Sequence, residues 1–476
     1  MATEKLLIKQ KSVYAVLLLG MFTFLFLGSE YMYVNMIALT AGKEKTVIVQ
    51  NYALGISAIG FFLYPLFHRL LKKRAQMVGL SVLALGTGVC NFWMQRHSAY
   101  SSTLLSGMVL FLLLGLLGNA IHYLFFRLTE DRDRLARMVG VAYALGIFLQ
   151  FLNNNLVKQQ TAEAVILSLS ALVALALLWS AEGLCCREAV EGEESPRAAK
   201  EKSEKTNRRT IAAGGLLALL VILMACVFST LDNAVTMHHV TGTDIGQWRR
   251  LLLAVSGLVA GFLFDIHDRK YMTLIMYCVL LMSVICVVVL KMGGSFLVGL
   301  IVFYLSSGFF FVFFTTGFLD FACHTQMPTL WVGMGRAMNN VSAALLTNAS
   351  VALLVSDSNG MLAIILALAL FVVISVVLSL YTAWMPTVAD PPKEIPVNLT
   401  PQEALHTLSE MFALTPREIE VFDKLIHSEK SIQEIADELY LSRRTCQRYI
   451  ASIYEKAGVK SRMGLYQLYI KTQYRQ

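Results

Sequence analysis

The stretch Leu439-Tyr-Leu-Ser-Arg-Arg-Thr-Cys-Gln-Arg-Tyr-Ile-Ala-Ser-Ile-Tyr-Glu-Lys-Ala457 decides how the end of this chain folds. Ser442 is a good helix N-cap, because its hydroxyl can accept a hydrogen bond from an amide of the first turn. After it, apolar residues recur at helical spacing at positions Cys446, Ile450, Ile453 and Ala457. The opposite face is basic or amide-bearing and consists of Arg443, Arg444, Gln447, Arg448, Ser452 and Lys456.

A second, shorter helix is predicted just upstream. Ser431-Ile-Gln-Glu434 has the form of a capping box and opens a helix that runs through Leu439. A tight turn at Tyr440–Leu441 then separates it from the basic helix. Two short helices with this turn and a basic second helix predict a helix-turn-helix, whose second helix enters the major groove of DNA.

From about Leu414 to Leu468 the chain resembles the LuxR/GerE-type DNA-binding domain. The family's motifs stand here as Leu414-Thr-Pro-Arg-Glu418, Ile435-Ala-Asp-Glu-Leu439, Leu441-Ser442, Ile453-Tyr-Glu-Lys456 and Gly458-Val-Lys-Ser461. Thr415 is then the N-cap of the first helix, with Glu418 as its reciprocal cap. The resemblance implies a four-helix domain at residues 414–476 that binds double-stranded DNA.

The resemblance also implies roles for single residues. The third helix reads base edges mainly at Gln447, Arg448 and Ala451. The remaining DNA contacts fall on Arg443, Arg444, Thr445, Tyr449, Lys456 and Lys460. Relatives dimerise through their final helix, here Ser461 to about Lys471 with Leu465 and Leu468 on one face, so a homodimer on DNA is expected.

Three positions depart from the usual pattern: Cys446 replaces a common Val, Gln447 a common basic residue, and Tyr449 a common His. The change at Gln447 alters the base-edge chemistry, so the operator sequence does not carry over from relatives.

Charge supports the DNA-binding interpretation independently. From Arg443 to the end there are eight basic residues and one acid, Glu455, whereas residues 414–442 hold three basic residues and seven acids. A small domain polarised in this way presents its basic half to a polyanion. The alternative is a solvated helical bundle with a basic face that binds nothing.

The rest of the 476-residue chain is apolar: 56% of all residues are hydrophobic and 15% are charged. Twelve apolar stretches approach the ~20 residues that cross a bilayer, so we expect an all-α, polytopic membrane domain over residues 1–386. Their approximate limits are 12–34, 48–67, 76–95, 103–125, 138–156, 163–183, 211–233, 248–265, 272–290, 295–318, 337–355 and 361–383.

Basic residues in the short loops predict the orientation of these spans. With a cytoplasmic N-terminus, the inner segments hold 21 Lys and Arg residues and the outer loops hold seven. This bias and an even number of spans place both termini in the cytoplasm of a multi-pass protein of the cell membrane. Because the C-terminal domain resembles that of bacterial regulators, we expect this membrane to be the bacterial inner membrane.

Residues 184–210 are polar and low in aromatic residues, which predicts a cytoplasmic linker between two six-span halves at about 12–183 and 211–383. This plan is similar to the major facilitator superfamily. The loop Gly261-Phe-Leu-Phe-Asp265-Ile-His-Asp268-Arg269-Lys270 resembles the superfamily's signature loop, and Gly335-Arg336 lies in a matching place before span eleven.

Ionisable and amide side chains within spans are costly and are often functional. In the superfamily's plan, Glu30 and Asp232 occupy corresponding places in the two halves, and we expect Asn119 and Gln150 to line the same cavity. Arg249 and Arg250, which precede span eight, are candidate partners of Asp232. Our candidates for ligand binding or gating are Glu30, Asn119, Gln150 and Asp232. The alternative is that these side chains only form hydrogen bonds between helices. We interpret Phe309-Phe-Phe-Val-Phe-Phe314 as packing or lipid-facing surface rather than an aromatic cage.

Between the membrane spans and the DNA-binding domain, residues 387–413 combine a Pro-rich spacer with a short helix opened by Thr400-Pro-Gln-Glu403. That helix either couples the two domains or packs as part of the second.

No nucleophile–base set, phosphate-binding glycine loop or metal-ligand spacing occurs in the sequence. We therefore predict no catalytic residues, no metal, no cofactor and no enzymatic activity. The chain is expected to be a one-component transcriptional regulator with an unknown small-molecule ligand; the alternatives are a transporter with a regulatory domain and an inactive membrane scaffold.

Overall fold

The computed structural model describes residues 2–96, 99–129, 132–191, 208–240, 248–355, 360–384, 401–428, 430–459 and 461–473. Within these ranges the chain is helical and contains no strand, as the sequence predicted. It divides into two compact units, Met1–Val388 and Ala389–Gln476.

The described residues of the first unit form twelve main helices. They are α1 (Ala2–Ala38), α2 (Lys43–Leu70), α3 (Lys73–Arg96), α4 (Tyr100–Leu128), α5 (Leu135–Leu156), α6 (Gln160–Glu191), α7 (Arg208–Val240), α8 (Leu251–Phe264), α9 (Met272–Lys291), α10 (Phe296–Ala322), α11 (Met334–Val355) and α12 (Gly360–Trp384). Short helical turns lie at Arg132–Arg134, Trp248–Arg250 and Pro328–Trp331.

Eleven of these helices are long and apolar enough to cross a membrane. The exception among the described residues is α8, at the predicted eighth span, which has 14 residues. At 1.5 Å per residue it extends about 21 Å, less than the ~30 Å of a bilayer core. The eighth predicted span is therefore a shorter helix than the sequence suggested.

The second half repeats the helix packing of the first. In the first half α1 packs on α4, α5 and α6, while α3 packs on α4 and α6, and α2 packs on α4. The equivalent pairs, with each number raised by six, all occur in the second half. The halves meet along α2–α11 and α5–α8, which are themselves an equivalent pair of contacts.

Glycines allow the close approach of α5 and α8. A Cβ atom added at Gly140 would lie 2.5 Å from the carbonyl oxygen of Gly257, and one added at Gly261 would lie 2.8 Å from that of Ala136. Both distances are shorter than real side chains tolerate, so the backbones touch here because no side chain separates them.

The predicted linker at 184–210 is shorter in the structure than in the sequence analysis. Helix α6 continues to Glu191 and α7 begins at Arg208. The residues between them, 192–207, lie outside the described residues, as do the spacer residues 385–400, including Thr400.

The second unit consists of α13 (Pro401–Met411), α14 (Pro416–His427), α15 (Ile432–Glu438), α16 (Arg443–Ala457) and α17 (Arg462–Gln473). The predicted capping boxes Thr415–Glu418 and Ser431–Glu434 are confirmed. Ala404 and Leu408 of α13 are fully buried in the same core as Leu465 of α17. The short helix therefore packs within this unit.

Candidate DNA-binding surface and membrane pocket

The turn between α15 and α16 is tight and includes a left-handed residue. The amide of Leu441 donates to the carbonyl of Ala436 at 2.8 Å, which closes the end of α15. Tyr440 has a φ of 54° and its side chain is 97% exposed. Such a conformation costs a non-glycine residue about 1–2 kcal/mol, so packing of the two helices imposes this turn.

Helix α16 is fixed at both ends and along one face. The Ser442 hydroxyl accepts from the Thr445 amide at 3.1 Å, and the left-handed Gly458 ends the helix. Its core-facing side chains Cys446, Ile450 and Ile453 are buried. The predicted base-reading residues Gln447, Arg448 and Ala451 are all exposed.

The predicted phosphate contacts occupy the start and flanks of this exposed face. Arg443 and Arg444 are exposed, whereas Thr445 and Tyr449 are partly buried. The Arg448 guanidinium lies 5.8 Å from the centroid of the Tyr449 ring. Lys460, also predicted to contact DNA, lies outside the described residues.

Lys456 differs from the other predicted DNA contacts, because its ammonium is engaged within the domain. It donates to Glu418 Oε2 at 2.7 Å and to the carbonyl of Ala413 at 3.3 Å. Arg462, which contributes to the basic half, is held likewise: it donates to the carbonyls of Leu425, Lys430 and Ser428. These two cations stabilise the domain.

Glu418 joins the start of α14 to the recognition helix. Its Oε2 accepts from the Thr415 amide at 2.7 Å as well as from Lys456, and its Oε1 accepts from Ser452 at 2.6 Å. Burial by itself would raise the pKa of this carboxyl, but hydrogen bonds from Lys456, Ser452 and Thr415 outweigh burial and lower its pKa to about 2.

The final helix α17 corrects the predicted dimer face. Leu465 is fully buried in the domain's own core and Leu468 is partly buried. The large apolar side chains that α17 exposes are Met463, at 65%, and Tyr466, at 44%. Leu465 is therefore not available to a second copy while α13 packs in this core.

The first unit contains a cavity of about 200 Å³ with charged and aromatic walls. The predicted residues Glu30 and Asp232 both line it, and so does Arg250. Glu30 Oε1 accepts from Gln50 Nε2 at 2.8 Å. The two carboxylates that the sequence placed in equivalent positions therefore face one cavity.

The other two candidate ligand residues lie outside the cavity wall. Asn119 donates to the carbonyls of Phe61 at 2.7 Å and Thr329 at 3.1 Å, which ties α4 to α2 and to the short turn before α11. Gln150 donates to the carbonyl of Leu27 at 2.8 Å and accepts from Arg250 Nη2 at 3.1 Å. Arg250 thus bonds Gln150 rather than the expected Asp232.

Arg336 is a pocket residue that sequence reasoning missed. It was counted in an inner loop before span eleven, but it lies in the first turn of α11 and lines the cavity. Its guanidinium lies 4.4 Å from the Phe26 ring centroid and 5.4 Å from that of Phe311. The only sequence indication was an arginine immediately before a predicted span.

The phenylalanine run at 309–314 is packing surface, as interpreted from the sequence, but three of its rings also face the cavity. Phe310, Phe311 and Phe314 are buried and line the cavity. Phe310 stacks on Phe228 with ring centroids 4.4 Å apart.

A polar seam joins the two halves beside the cavity. Asn51 of α2 donates to Asn233 Oδ1 at 2.8 Å and to Thr347 at 2.7 Å. Asn340 donates to Ser57 at 2.8 Å. All of these side chains are buried. Side-chain hydrogen bonds therefore hold the α2–α11 contact, whereas close packing of glycine backbones characterises the α5–α8 contact.

The signature-like loop closes the end of the α5–α8 contact. Asp265 accepts from the amides of Ala136 at 3.0 Å and Arg137 at 2.8 Å, at the start of α5. Arg269 lies 3.7 Å from Asp265 and donates to Asp320 at 3.0 Å. A carboxylate at a helix N-terminus is favoured by the helix dipole.

Comparison with known proteins identifies the second unit. The family model for bacterial regulatory proteins of the luxR family (GerE) matches residues 413–469. The spore germination protein GerE of Bacillus subtilis (strain 168) is 45% identical over 49 residues, 10% of this chain and 65% of the relative. The chain thus spans slightly less than two thirds of that relative.

Solved structures match the membrane part. An auto-inhibited POT family peptide transporter aligns with a TM-score of 0.52 at 10% identity over 79% of this chain and 97% of that one. The human organic anion transporter MFSD10 (TETRAN) aligns at 0.51 and 14% identity over 79% and 98%. A major facilitator superfamily proton:xylose symporter bound to 6-bromo-6-deoxy-D-glucose aligns at 0.51 and 14% over 80% and 95%.

At these identities the likeness to transporters concerns the fold alone. The multi-pass membrane unit has the fold of the major facilitator superfamily, and residues 413–469, joined to it in the same chain, are a LuxR-type helix-turn-helix DNA-binding domain.

Proposed function

We propose that this protein is a membrane-bound, one-component transcriptional regulator. Its membrane domain senses a small molecule or envelope signal, and the LuxR-type domain binds specific DNA in response. The observation that carries the proposal is the exposed basic face of α16 in a chain whose described residues also form eleven membrane-length helices. The proposed role is regulatory rather than enzymatic.

On DNA, Gln447, Arg448 and Ala451 would read base edges from the major groove. Gln pairs bidentately with adenine and Arg with guanine, each giving roughly 1–3 kcal/mol of discrimination. Arg443, Arg444, Thr445, Tyr449 and Lys460 would hold phosphates and set the register. Lys456 would act mainly through Glu418, by holding α16 in place.

We further propose that two copies read half-sites related by two-fold symmetry. The exposed pair Met463 and Tyr466, three residues apart on α17, offers a contact that leaves α13 in place. Gel filtration of the 389–476 fragment with operator DNA tests this, because Tyr466→Lys should convert a two-copy complex into a one-copy complex.

DNA binding in the cell requires a cytoplasmic second unit. Reporter fusions after Lys11, at Ser195 and after Pro396 should all report cytoplasm, and a fusion after Lys158 should report the outside. A fusion after Pro396 that reports the outside would reject DNA binding, since the chromosome would be out of reach.

The direct test is a pull-down of crosslinked chromosomal DNA with the full chain. The wild type should enrich discrete sites, and Arg444→Ala combined with Arg448→Ala should abolish the enrichment while the membrane level stays unchanged. Arg417→Ala is the matched control, because this arginine is exposed and bonds only Glu420 at the surface. Uniform recovery of all DNA by the wild type would contradict specific regulation.

Signal input is tested at the pocket. Glu30→Gln and Asp232→Asn keep the side-chain shapes and remove the charges, so they should change the response of a target promoter without changing DNA affinity. A full response in the double variant would assign both residues to structure. If the membrane domain is an inactive scaffold, no small molecule should raise its thermal stability, whereas a ligand of a sensor should raise it.

Transport is the second candidate function, and the contacts of Asp265 favour it. They join the ends of α8 and α5, and Arg269 extends them to α10, so they could open and close as the halves rock around the charged cavity. A flux assay in proteoliposomes discriminates, because substrate accumulation would require transport and a regulator alone predicts none.

A further inference from the structure

Of the four charged side chains that line the membrane cavity, only two form hydrogen bonds with described residues of the protein. Glu30 accepts from Gln50 at 2.8 Å, and Arg250 donates to Gln150 at 3.1 Å. Arg336 and Asp232, the other two charges, have no hydrogen bond or ion pair to any described residue. An ionised group away from bulk water is costly without a partner.

Arg336 is prepared for an anion. Its guanidinium rests on the rings of Phe26 and Phe311, and its Nε atom is fully buried without a hydrogen-bond acceptor. The rings hold the planar group in one orientation. A guanidinium fixed in this way presents its remaining donors to a carboxylate, which it can bind in a bidentate geometry.

Asp232 carries the opposite charge and lines the same cavity. Glu30 and Arg250, which carry opposite charges, line the cavity with it. The stacked rings of Phe228 and Phe310 line the same cavity and provide apolar wall.

We propose that the cavity binds a small zwitterion, with its anionic group on Arg336, its protonated amine on Asp232 and a flat apolar body against the phenylalanine rings. This inference rests on the proposed role of the cavity as a ligand site. The four charged residues of the cavity are formally neutral together, so a zwitterion leaves the site neutral. A singly charged ligand would add an uncompensated charge in a medium of low polarity.

The volume of about 200 Å³ limits the ligand's size. Sites for drug-sized ligands typically measure roughly 300–1,000 Å³, so this cavity suits a small metabolite with one ring or an equivalent body.

The test uses 4-(aminomethyl)phenylacetate as the doubly charged probe. Its matched analogues are 4-ethylphenylacetate, which lacks the amine, and 4-isobutylbenzylamine, which lacks the carboxylate. Each probe is titrated into the purified full chain in detergent, and affinity is taken from the rise in unfolding temperature. Because each analogue leaves one charge unpaired, it should bind about tenfold or more weakly than the doubly charged probe.

Two variants assign the ends of the probe. Arg336→Met should remove the preference for the carboxylate, so that the doubly charged probe binds no better than 4-isobutylbenzylamine. Asp232→Asn should remove the preference for the amine in the same way. Arg417→Met removes an exposed arginine of the second unit and should leave all three affinities unchanged. If a pocket variant fails to elute as a monodisperse species, the wild-type ranking of the probes still decides.

Equal binding of the three probes, or no binding by any of them, would overturn the proposal. So would an unchanged ranking in both folded pocket variants. Binding of the doubly charged probe without any change in promoter activity supports the ligand class and counts against the proposed regulatory function, which separates the two conclusions.

Discussion

Replacing Glu418 by Gln should destabilise the DNA-binding domain through the position of its recognition helix. The carboxylate is buried, with 4% of the residue exposed, and accepts from Thr415, Ser452 and Lys456 at 2.6–2.9 Å. Gln has nearly the same shape, but it brings a neutral amide to a site that offers only donors. It therefore loses the charge-assisted bond to Lys456 and leaves one donor without an acceptor.

The pKa of Glu418 sets the magnitude. It is lowered from 4.5 to about 2, and at 1.36 kcal/mol per unit this corresponds to roughly 3 kcal/mol of stability at neutral pH as an upper limit. Because the folded-state pKa is depressed, this stability is present above pH 4.5 and is lost as the pH falls towards 2. In a domain of this size 1 kcal/mol shifts the unfolding temperature by about 4–8 °C.

The assay is thermal unfolding of the 389–476 fragment, followed by circular dichroism at several pH values. At pH 7 Glu418→Gln should unfold roughly 10 °C or more below the wild type, and the gap should close between pH 4.5 and about 2. Glu420→Gln is the matched control: it lies on the same helix and pairs only with the exposed Arg417, so its effect should stay within about 0.5 kcal/mol. Equal losses for the two variants, or a gap that does not depend on pH, would refute this reasoning.

Further predictions concern DNA binding and helix packing. Arg444→Ala should weaken binding to all DNA alike and reduce the slope of log K against log salt by about one unit, measured by fluorescence anisotropy; an unchanged slope would exclude a phosphate contact. Gln447→Ala should relax specificity at one base pair by roughly 1–3 kcal/mol and spare non-specific DNA, in a comparison of single-base operator variants; equal loss on all DNA would contradict base reading. In the full chain, Gly261→Ala should lower the unfolding temperature, since its Cβ would meet the Ala136 carbonyl at 2.8 Å, an overpacking that costs about 1–3 kcal/mol. Gly215→Ala, with no atom within 4 Å, should be neutral or stabilising, and equal shifts in the two would count against the close α5–α8 contact.

The helices and caps of the second unit were predictable because their determinants are local. A Ser or Thr followed three residues later by Glu satisfies the first amides of a helix without any distant residue. Both predicted boxes, at Thr415 and Ser431, are present with both of their hydrogen bonds. The apolar stripe Cys446–Ile450–Ile453 follows from helical periodicity in the same way, and it directs the basic face outward.

Contacts between segments distant in the sequence were predictable only where the correspondence between the two six-helix halves indicated which residues take equivalent positions. Glu30 and Asp232 were paired because the two halves of the membrane unit correspond, and both line the cavity. Asn119 and Gln150 were chosen for polarity alone. Polarity cannot distinguish an amide that faces a cavity from one that satisfies a carbonyl on a neighbouring helix, and both residues do the latter.

Arg336 shows the same limit for a charge. Loop counting treats every arginine near a span boundary as a loop residue, because the rule concerns the cost of moving charge through lipid. Within a bundle, that cost is lowered by aromatic rings and by a carboxylate in the same cavity, here Phe26 and Glu30 of α1 and Phe311 of α10. Those partners are far away in the sequence, so only the folded structure shows that Arg336 belongs to the cavity.

The final helix raises a related question about partners. An amphipathic stripe shows that one face of a helix is covered but not what covers it, and Leu465 fitted a contact with a second copy as well as it fits the domain core. In the structure α13 shares that core, through Ala404 and Leu408. A dimer that used Leu465 would first have to displace α13 and expose those side chains. A dimer that uses Met463 and Tyr466 has no such cost, and therefore the exposed pair is the stronger candidate for the two-fold contact on DNA.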